Sequence, residues 1–225
     1  MFECLESLHD ATKGEIDVYD DPLIQDIGKF IMRVQIHDHY FVNFADASPL
    51  VSPSAFLLYR YGKRIADADM MGLGAYFNAE ENEARKGGGD SIARVLPALL
   101  LRDELTGVKP YQPLPRDAWL PEIQVVTARD KMGSSEGFYV AAKGGHNQES
   151  HNHNDVGHYI VYIDGAPVII DAGVGPYTGK TFSSKRYDIW TMQSASHSLP
   201  TIDGVMQSNG LEFAARYLVS LKACG

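Results

Sequence analysis

The sequence predicts an α+β protein of two domains, a helical N-terminal part followed by an antiparallel β-sandwich. Three observations carry that prediction. The early apolar residues recur at three- and four-residue steps, a proline-rich stretch then interrupts the chain, and beyond it β-branched and aromatic runs alternate with glycine-marked turns. We divide the chain into a helical domain over 1–108, a linker over 109–118 and a β-domain over 119–225.

The clearest helix runs from Asp20 to Val34, where Leu23, Ile24, Ile27, Phe30, Ile31 and Val34 mark one face and Pro22 occupies a favourable first helical position. Residues 54–77 and 90–105 read the same way, the second with Asp90 as a candidate cap before Ile92, Val95, Leu96, Leu99 and Leu100. The stretch Lys109-Pro-Tyr-Gln-Pro-Leu-Pro-Arg116 cannot continue a helix, because each proline fixes φ and lacks a backbone donor. After it, strands are expected at Ile123–Ala128, Gly137–Ala142, His158–Ile163, Val168–Asp171 and Phe213–Leu221. Asp164-Gly165 is a two-residue hairpin turn by composition, and Asp203-Gly204 is a second. Strands at this spacing without intervening helices point to an antiparallel arrangement.

A chain of 225 residues with 44% hydrophobic and 22% charged residues is long and apolar enough to bury a core. Its formal charge of -9 argues against nucleic acid as a general partner. The two cysteines, Cys4 and Cys224, form neither a disulfide framework nor a thiolate zinc motif. Neither a membrane span nor a signal peptide is read from the sequence.

Five of the eight histidines, His146, His151, His153, His158 and His197, fall between positions 146 and 197, so chemistry is expected there. In an extended chain His151 and His153 would share a face, about 6 to 7 Å apart. Asp171 closes an apolar run, and two imidazoles with a carboxylate form a common zinc set that keeps a fourth position for water. By spacing alone such a pair is more often ordinary surface histidine, and His197 is only a possible further ligand. The loop Tyr177–Tyr187 supplies Lys180, Lys185 and Arg186, which could hold an anion or be a solvated basic surface.

The segments Ala142-Lys-Gly-Gly-His146-Asn147, Ser150-His-Asn-His-Asn-Asp-Val-Gly157, Val168-Ile-Ile-Asp-Ala-Gly-Val-Gly175, Tyr177–Tyr187, Ile189–Ala195 and His197–Gly204, and more weakly Tyr40–Ala47, resemble heparinase II/III-type polysaccharide lyases. The resemblance implies the end of an α/α toroid followed by the first part of a β-sandwich, both incomplete. It implies β-elimination of a uronic-acid polysaccharide, heparin-like or alginate-like, with His151 as the catalytic histidine. It further implies a structural Zn2+ held by His153, Asp171 and His197, and Tyr177, Lys180, Lys185 and Arg186 of the basic loop are the candidate substrate contacts. A periplasmic or secreted location follows from the family alone, and homo-oligomerisation stays open. The family's catalytic tyrosine lies in a Gly- and Tyr-Trp-rich segment that has no match here, since Tyr19 lacks its context. The isolated chain is therefore expected to be weakly active or inactive. The alternative is a zinc-stabilised, non-catalytic carbohydrate-binding β-module; a zinc-dependent hydrolase is a weaker third reading.

Overall fold

The computed structural model describes residues 1–84 and 92–216. It is an α+β chain whose contacts divide it into two compact units, Met1–Met32 with Ser52–Pro113, and Arg33–Val51 with Leu114–Gly225. This division differs from a single boundary at 109–118, because Arg33–Val51 groups with the β-rich part.

The first unit holds α1 (Phe2–Ala11), α2 (Pro22–Arg33, whose last residue belongs to the second unit), α3 (Ala55–Arg64), α4 (Ala68–Ala84) and α5 (Ile92–Thr106). The helix expected over 54–77 is two helices. Ala66 takes a left-handed φ of 52°, Asp67 N–H closes back onto Gly62 O at 2.8 Å, and the Asp67 carboxylate caps α4 by accepting from Met70 N–H at 2.9 Å. α3 and α4 then pack so closely that a Cβ on Gly74 would lie 2.8 Å from both Ala55 O and Tyr59 N. Leu58, Tyr59, Met70, Leu73, Phe77 and Leu105 fill the core. Buried Glu6 accepts hydrogen bonds from Tyr19, Arg60 and Arg64, and Phe2, Tyr19 and Tyr61 form an aromatic cluster beside it. The apolar stripe of α2 is used less than its pattern predicts: Leu23 is 64% exposed, and Ile27 and Phe30 are also open, as are Leu96, Leu99 and Leu100 on α5. Asp90 lies outside the described residues.

The second unit is built on a five-stranded antiparallel sheet of order β3-β4-β5-β7-β8. Its strands are β3 (Asp117–Leu120), β4 (Val125–Arg129), β5 (Phe138–Lys143), β7 (Tyr159–Ile163) and β8 (Ala166–Ile169). Two small pairs accompany it, β1 (Gln35–His37) with β2 (Tyr40–Phe41), and β6 (His146–Asn147) with β9 (Gly210–Ala214). Along β5 the side chains alternate, with Tyr139 and Ala141 buried and Phe138 and Val140 exposed, and Ile160 and Tyr162 of β7 join the buried face. Ile36, Tyr40, Val42 and Phe44 pack against that face. The opposite face carries exposed Val126, Phe138, Val140 and Tyr159, so the described residues form one broad sheet and two small ones rather than two full facing sheets.

Arg129 explains why residues 33–51, expected within the helical domain, belong here. Its buried guanidinium donates to Gln35 O at 2.8 Å, Ile36 O at 2.9 Å and Pro115 O at 3.0 Å, and lies 4.8 Å from the Tyr139 ring centroid. A second tie comes from Thr127, whose hydroxyl donates to Arg33 O. The Asp164-Gly165 turn forms as expected, with φ of 50° and 77°, and Asp203-Gly204 joins a bridge between Ile202 and Val205. The strand expected at Phe213–Leu221 is Gly210–Ala214 in the described part, and residues 217–221 lie outside it.

Candidate functional site

The site is carried by the loop that joins β6 to β7, residues 148–158, together with loops that close over it. The loop is not extended: His151 adopts a left-handed φ of 57°. His151 and His153 therefore meet for a different reason from strand alternation. Both rings converge on Asp46, which lies in the loop after β2. His151 Nδ1 is 2.9 Å from Asp46 Oδ2, and His153 Nε2 is 3.1 Å from Oδ1. The Asp46 side chain is 5% exposed. Its Oδ1 also accepts from Arg186 Nη2 at 2.7 Å, and its Oδ2 from the Tyr177 hydroxyl at 3.1 Å. Burial alone would raise the Asp46 pKa, but the hydrogen bonds from Arg186, His151 and His153 outweigh it and hold the carboxyl below its ordinary value.

The two histidines differ in environment. The His151 side chain is about half exposed, and its ring meets the edge of exposed Phe182 at 5.6 Å, which in turn meets Tyr177 at 5.1 Å. His153 is fully buried, and desolvation lowers its pKa although Asp46 pulls the other way. Partial desolvation and the neighbouring Asp46 carboxylate raise the pKa of Tyr177.

Behind His153 lie Asp171 and His197, both buried. Asp171 follows β8, its Oδ1 accepting from Gly173 N–H at 2.6 Å and its Oδ2 lying 3.1 Å from His197 Nδ1. Burial would raise the Asp171 pKa. His158 and His197 reverse that, and with the Gly173 N–H they hold the carboxyl far below its usual range. His153, Asp171 and His197 each offer one ligand atom, all within 4.8 Å of one another, and could hold a metal ion. Two orphaned atoms support that fit: His153 Nδ1 and His197 Nε2 are buried without a hydrogen-bond partner, an arrangement that costs about 1–3 kcal/mol for each group. Two imidazoles and one carboxylate are the donor types that zinc takes.

Two residues that the sequence reading left unassigned belong to this site. One is Asp46. The other is His158, whose Nδ1 accepts from Ser198 N–H at 2.9 Å, so its proton sits on Nε2, 3.0 Å from Asp171 Oδ2 and somewhat off the ideal hydrogen-bond direction. It steadies the carboxylate without being one of the three grouped residues.

The basic loop differs from expectation at Arg186. That side chain is buried, donating to Asn152 O at 2.8 Å, Thr181 O at 2.9 Å, His151 O at 2.8 Å and Asp46, so it braces the histidine loop instead of facing a ligand. Its planar fork of donors suits that task, whereas a solvated loop cation would leave them in water. Lys185 is exposed, and Lys180 lies 3.5 Å from Asp188 at the surface. Beneath the loop, Lys143 at the end of β5 makes a buried ion pair of 2.6 Å with Asp155.

Residues 113–223 match the family described as Heparinase II/III-like, C-terminal. A solved structure of a heparinase III (BT4657 gene product, methylated lysines) is similar over 74% of this chain at 15% identity, with a TM-score of 0.46. This chain spans 21% of that chain's length. No curated protein matches the chain. Among the described residues no helix is long and apolar enough to cross a membrane. The stretch that carries His151, His153, Asp171 and His197 lies wholly within the matched residues, and residues 113–223 belong to the heparinase II/III-like C-terminal family.

Proposed function

We propose that the chain is part of a polysaccharide lyase that cleaves a uronic-acid polymer, heparin-like or alginate-like, by β-elimination, with His151 as the catalytic histidine. The observation that carries this reading is the placement of His151. One ring nitrogen is anchored on a buried carboxylate and the ring is half open to solvent, and the same carboxylate holds His153 of the buried His153–Asp171–His197 cluster. Elimination moves the C5 proton to a base, forms the C4–C5 double bond and breaks the C4–O bond, the leaving oxygen taking a proton. An imidazole anchored at Nδ1 presents Nε2 outward, where it can take the C5 proton or, when protonated, neutralise the uronate carboxylate. Tyr177, Lys180 and Lys185 are the proposed contacts to the acidic polymer, and Arg186, being occupied as a brace, is left out of that set.

His153, Asp171 and His197 would hold zinc, with His153 and His197 presenting the nitrogens that are otherwise orphaned. Bound there, the ion would supply a structural cross-link between the histidine loop, the end of β8 and the segment before Ser198. The exposed apolar residues on α2 and α5 support a place for the helices at the end of a larger α/α toroid, and the exposed face of the five-stranded sheet supports a β-sandwich completed by further strands. A periplasmic or secreted location accords with this reading.

A second reading, a zinc-stabilised carbohydrate-binding module without catalysis, is favoured by the exposed Tyr177–Phe182 pair and by the exposure of Lys185 on the same loop. One experiment separates them: unsaturated uronate released from heparin, heparan sulfate and alginate is measured by ultraviolet absorbance for the wild type and His151→Ala, with polymer binding followed in parallel. Unsaturated product from the wild type that His151→Ala loses while still binding supports the lyase. Equal binding by both without unsaturated product supports the module, and saturated hydrolytic ends would overturn both.

A further inference from the structure

We propose that Asp46 is the positioning residue of the site, a single carboxylate that sets the tautomers of His151 and His153 in opposite senses. The inference rests on the reading above only for its catalytic consequence; the tautomers themselves follow from the geometry.

Four donors reach the Asp46 carboxylate, two at each oxygen: His153 Nε2 at 3.1 Å and Arg186 Nη2 at 2.7 Å on Oδ1, His151 Nδ1 at 2.9 Å and the Tyr177 hydroxyl at 3.1 Å on Oδ2. An ionised carboxylate only accepts, and its two oxygens offer about four lone-pair sites. Every nitrogen that faces it must therefore carry a proton. His151 is then protonated on Nδ1, which leaves the Nε2 lone pair on the solvent side of a half-exposed ring. His153 is protonated on Nε2, which leaves its lone pair on Nδ1, the buried atom that has no hydrogen-bond partner, on a residue of the His153–Asp171–His197 cluster. With either tautomer reversed, a lone pair would face the carboxylate lone pairs. The outward basic nitrogen and the inward ligand nitrogen are thus fixed by one residue that lies more than a hundred positions earlier in the chain.

The arrangement makes the outcome of Asp46→Asn specific. The asparagine amide cannot face Arg186, which has no acceptor, so the amide oxygen takes the Oδ1 place and the NH2 group takes the Oδ2 place. There it confronts Tyr177, whose hydroxyl can turn to accept, and His151, which must move its proton to Nε2. His153 keeps its tautomer.

The test is 15N NMR of the histidine rings in the metal-free chain at about pH 8, where imidazoles are ordinarily neutral. In the wild type we expect a protonated-type Nδ1 and a lone-pair-type Nε2 for His151, and the reverse for His153. In Asp46→Asn the two nitrogen types of His151 exchange while those of His153 do not. Wild-type His151 carrying its proton on Nε2, or an Asp46→Asn spectrum with His151 unchanged, would overturn the proposal. If the variant fails to fold, the wild-type spectrum alone still decides. Zinc added afterwards should shift His153 Nδ1 and leave the His151 tautomer in place; correct tautomers with no response to zinc would sink the metal reading and leave the role of Asp46 standing.

Discussion

Replacing Lys143 by methionine is expected to destabilise the second unit by about 3–5 kcal/mol, the cost of leaving one partner of a buried ion pair without the other. The magnitude follows from the surroundings. The Lys143 side chain is 3% exposed and that of Asp155 is not exposed at all, with 2.6 Å between Nζ and Oδ1; Asp155 Oδ2 has no hydrogen-bond partner that could take over. Glu149, 3.3 Å from Nζ and 26% exposed, is wet enough to survive the change, so the penalty falls on Asp155. Backbone bonds from Lys143 N–H to His158 O and from Gly157 N–H to Lys143 O would persist, which confines the effect to the charge. Trp119 and Trp190, the chain's two tryptophans, both belong to the second unit, so urea unfolding followed by tryptophan fluorescence reads that unit alone. The double variant Lys143→Met/Asp155→Leu should recover most of the loss, giving a coupling energy above about 2 kcal/mol. A single variant within about 1 kcal/mol of wild type, or a double variant no better than the single, would refute the idea that this pair pins the histidine loop to β5.

Three further outcomes are expected. His158→Ala should weaken zinc binding by about 10–100-fold at unchanged saturating stoichiometry, because it removes the group that steadies Asp171 and not a ligand; dialysis against a competing chelator measures both. Tyr111, desolvated and donating to Asp69 Oδ1 at 2.6 Å, has its pKa pushed up from 10.0 to about 12. The folded unit favours the protonated phenol, so that stabilisation is intact below about pH 10 and lost as pH rises toward 12; alkaline titrations by circular dichroism in fixed urea should show a shallower loss in that window for Tyr111→Phe. Gly28→Ala should destabilise by about 1–3 kcal/mol, since the Tyr61 ring occupies the space of the new Cβ while its hydroxyl holds Ile24 O at 2.6 Å. Helix propensity alone predicts a gain of about 1 kcal/mol, so the sign of the change in thermal unfolding decides between them.

Much of the second unit was readable because its signals are local. The alternation along β5, the Asp164-Gly165 turn and the clustering of histidine after position 146 each sit within a few residues of what they specify. Asp46 was not readable in this way. It is a single carboxylate in a loop, and what gives it meaning is the arrival of His151, 105 positions later, and of Arg186, 140 positions later. Arg186 was misjudged for the same reason: composition marks a cation in a basic loop, but only tertiary structure supplies the carbonyls that bury it. The break between α3 and α4 did have a local trace in Asp67, a good cap, which the continuing apolar period concealed. The β1–β2 pair is too short for a period of two to register, and it forms because Arg129 and Tyr139 give residues 35–36 a place to bind.

The left-handed backbone at His151 bears on how this protein responds to engineering for heat tolerance. A residue with a Cβ in that conformation carries a cost of roughly 1–2 kcal/mol that glycine escapes. Asp46 keeps its donors from His153, Arg186 and Tyr177 when the His151 ring is removed, so a library at position 151 sorted by melting temperature should enrich glycine and then asparagine over histidine, while aspartate, set against the Asp46 carboxylate, should not enrich. Selection for robustness alone would discard the proposed reactive side chain early, and position 151 should be fixed before any such campaign begins.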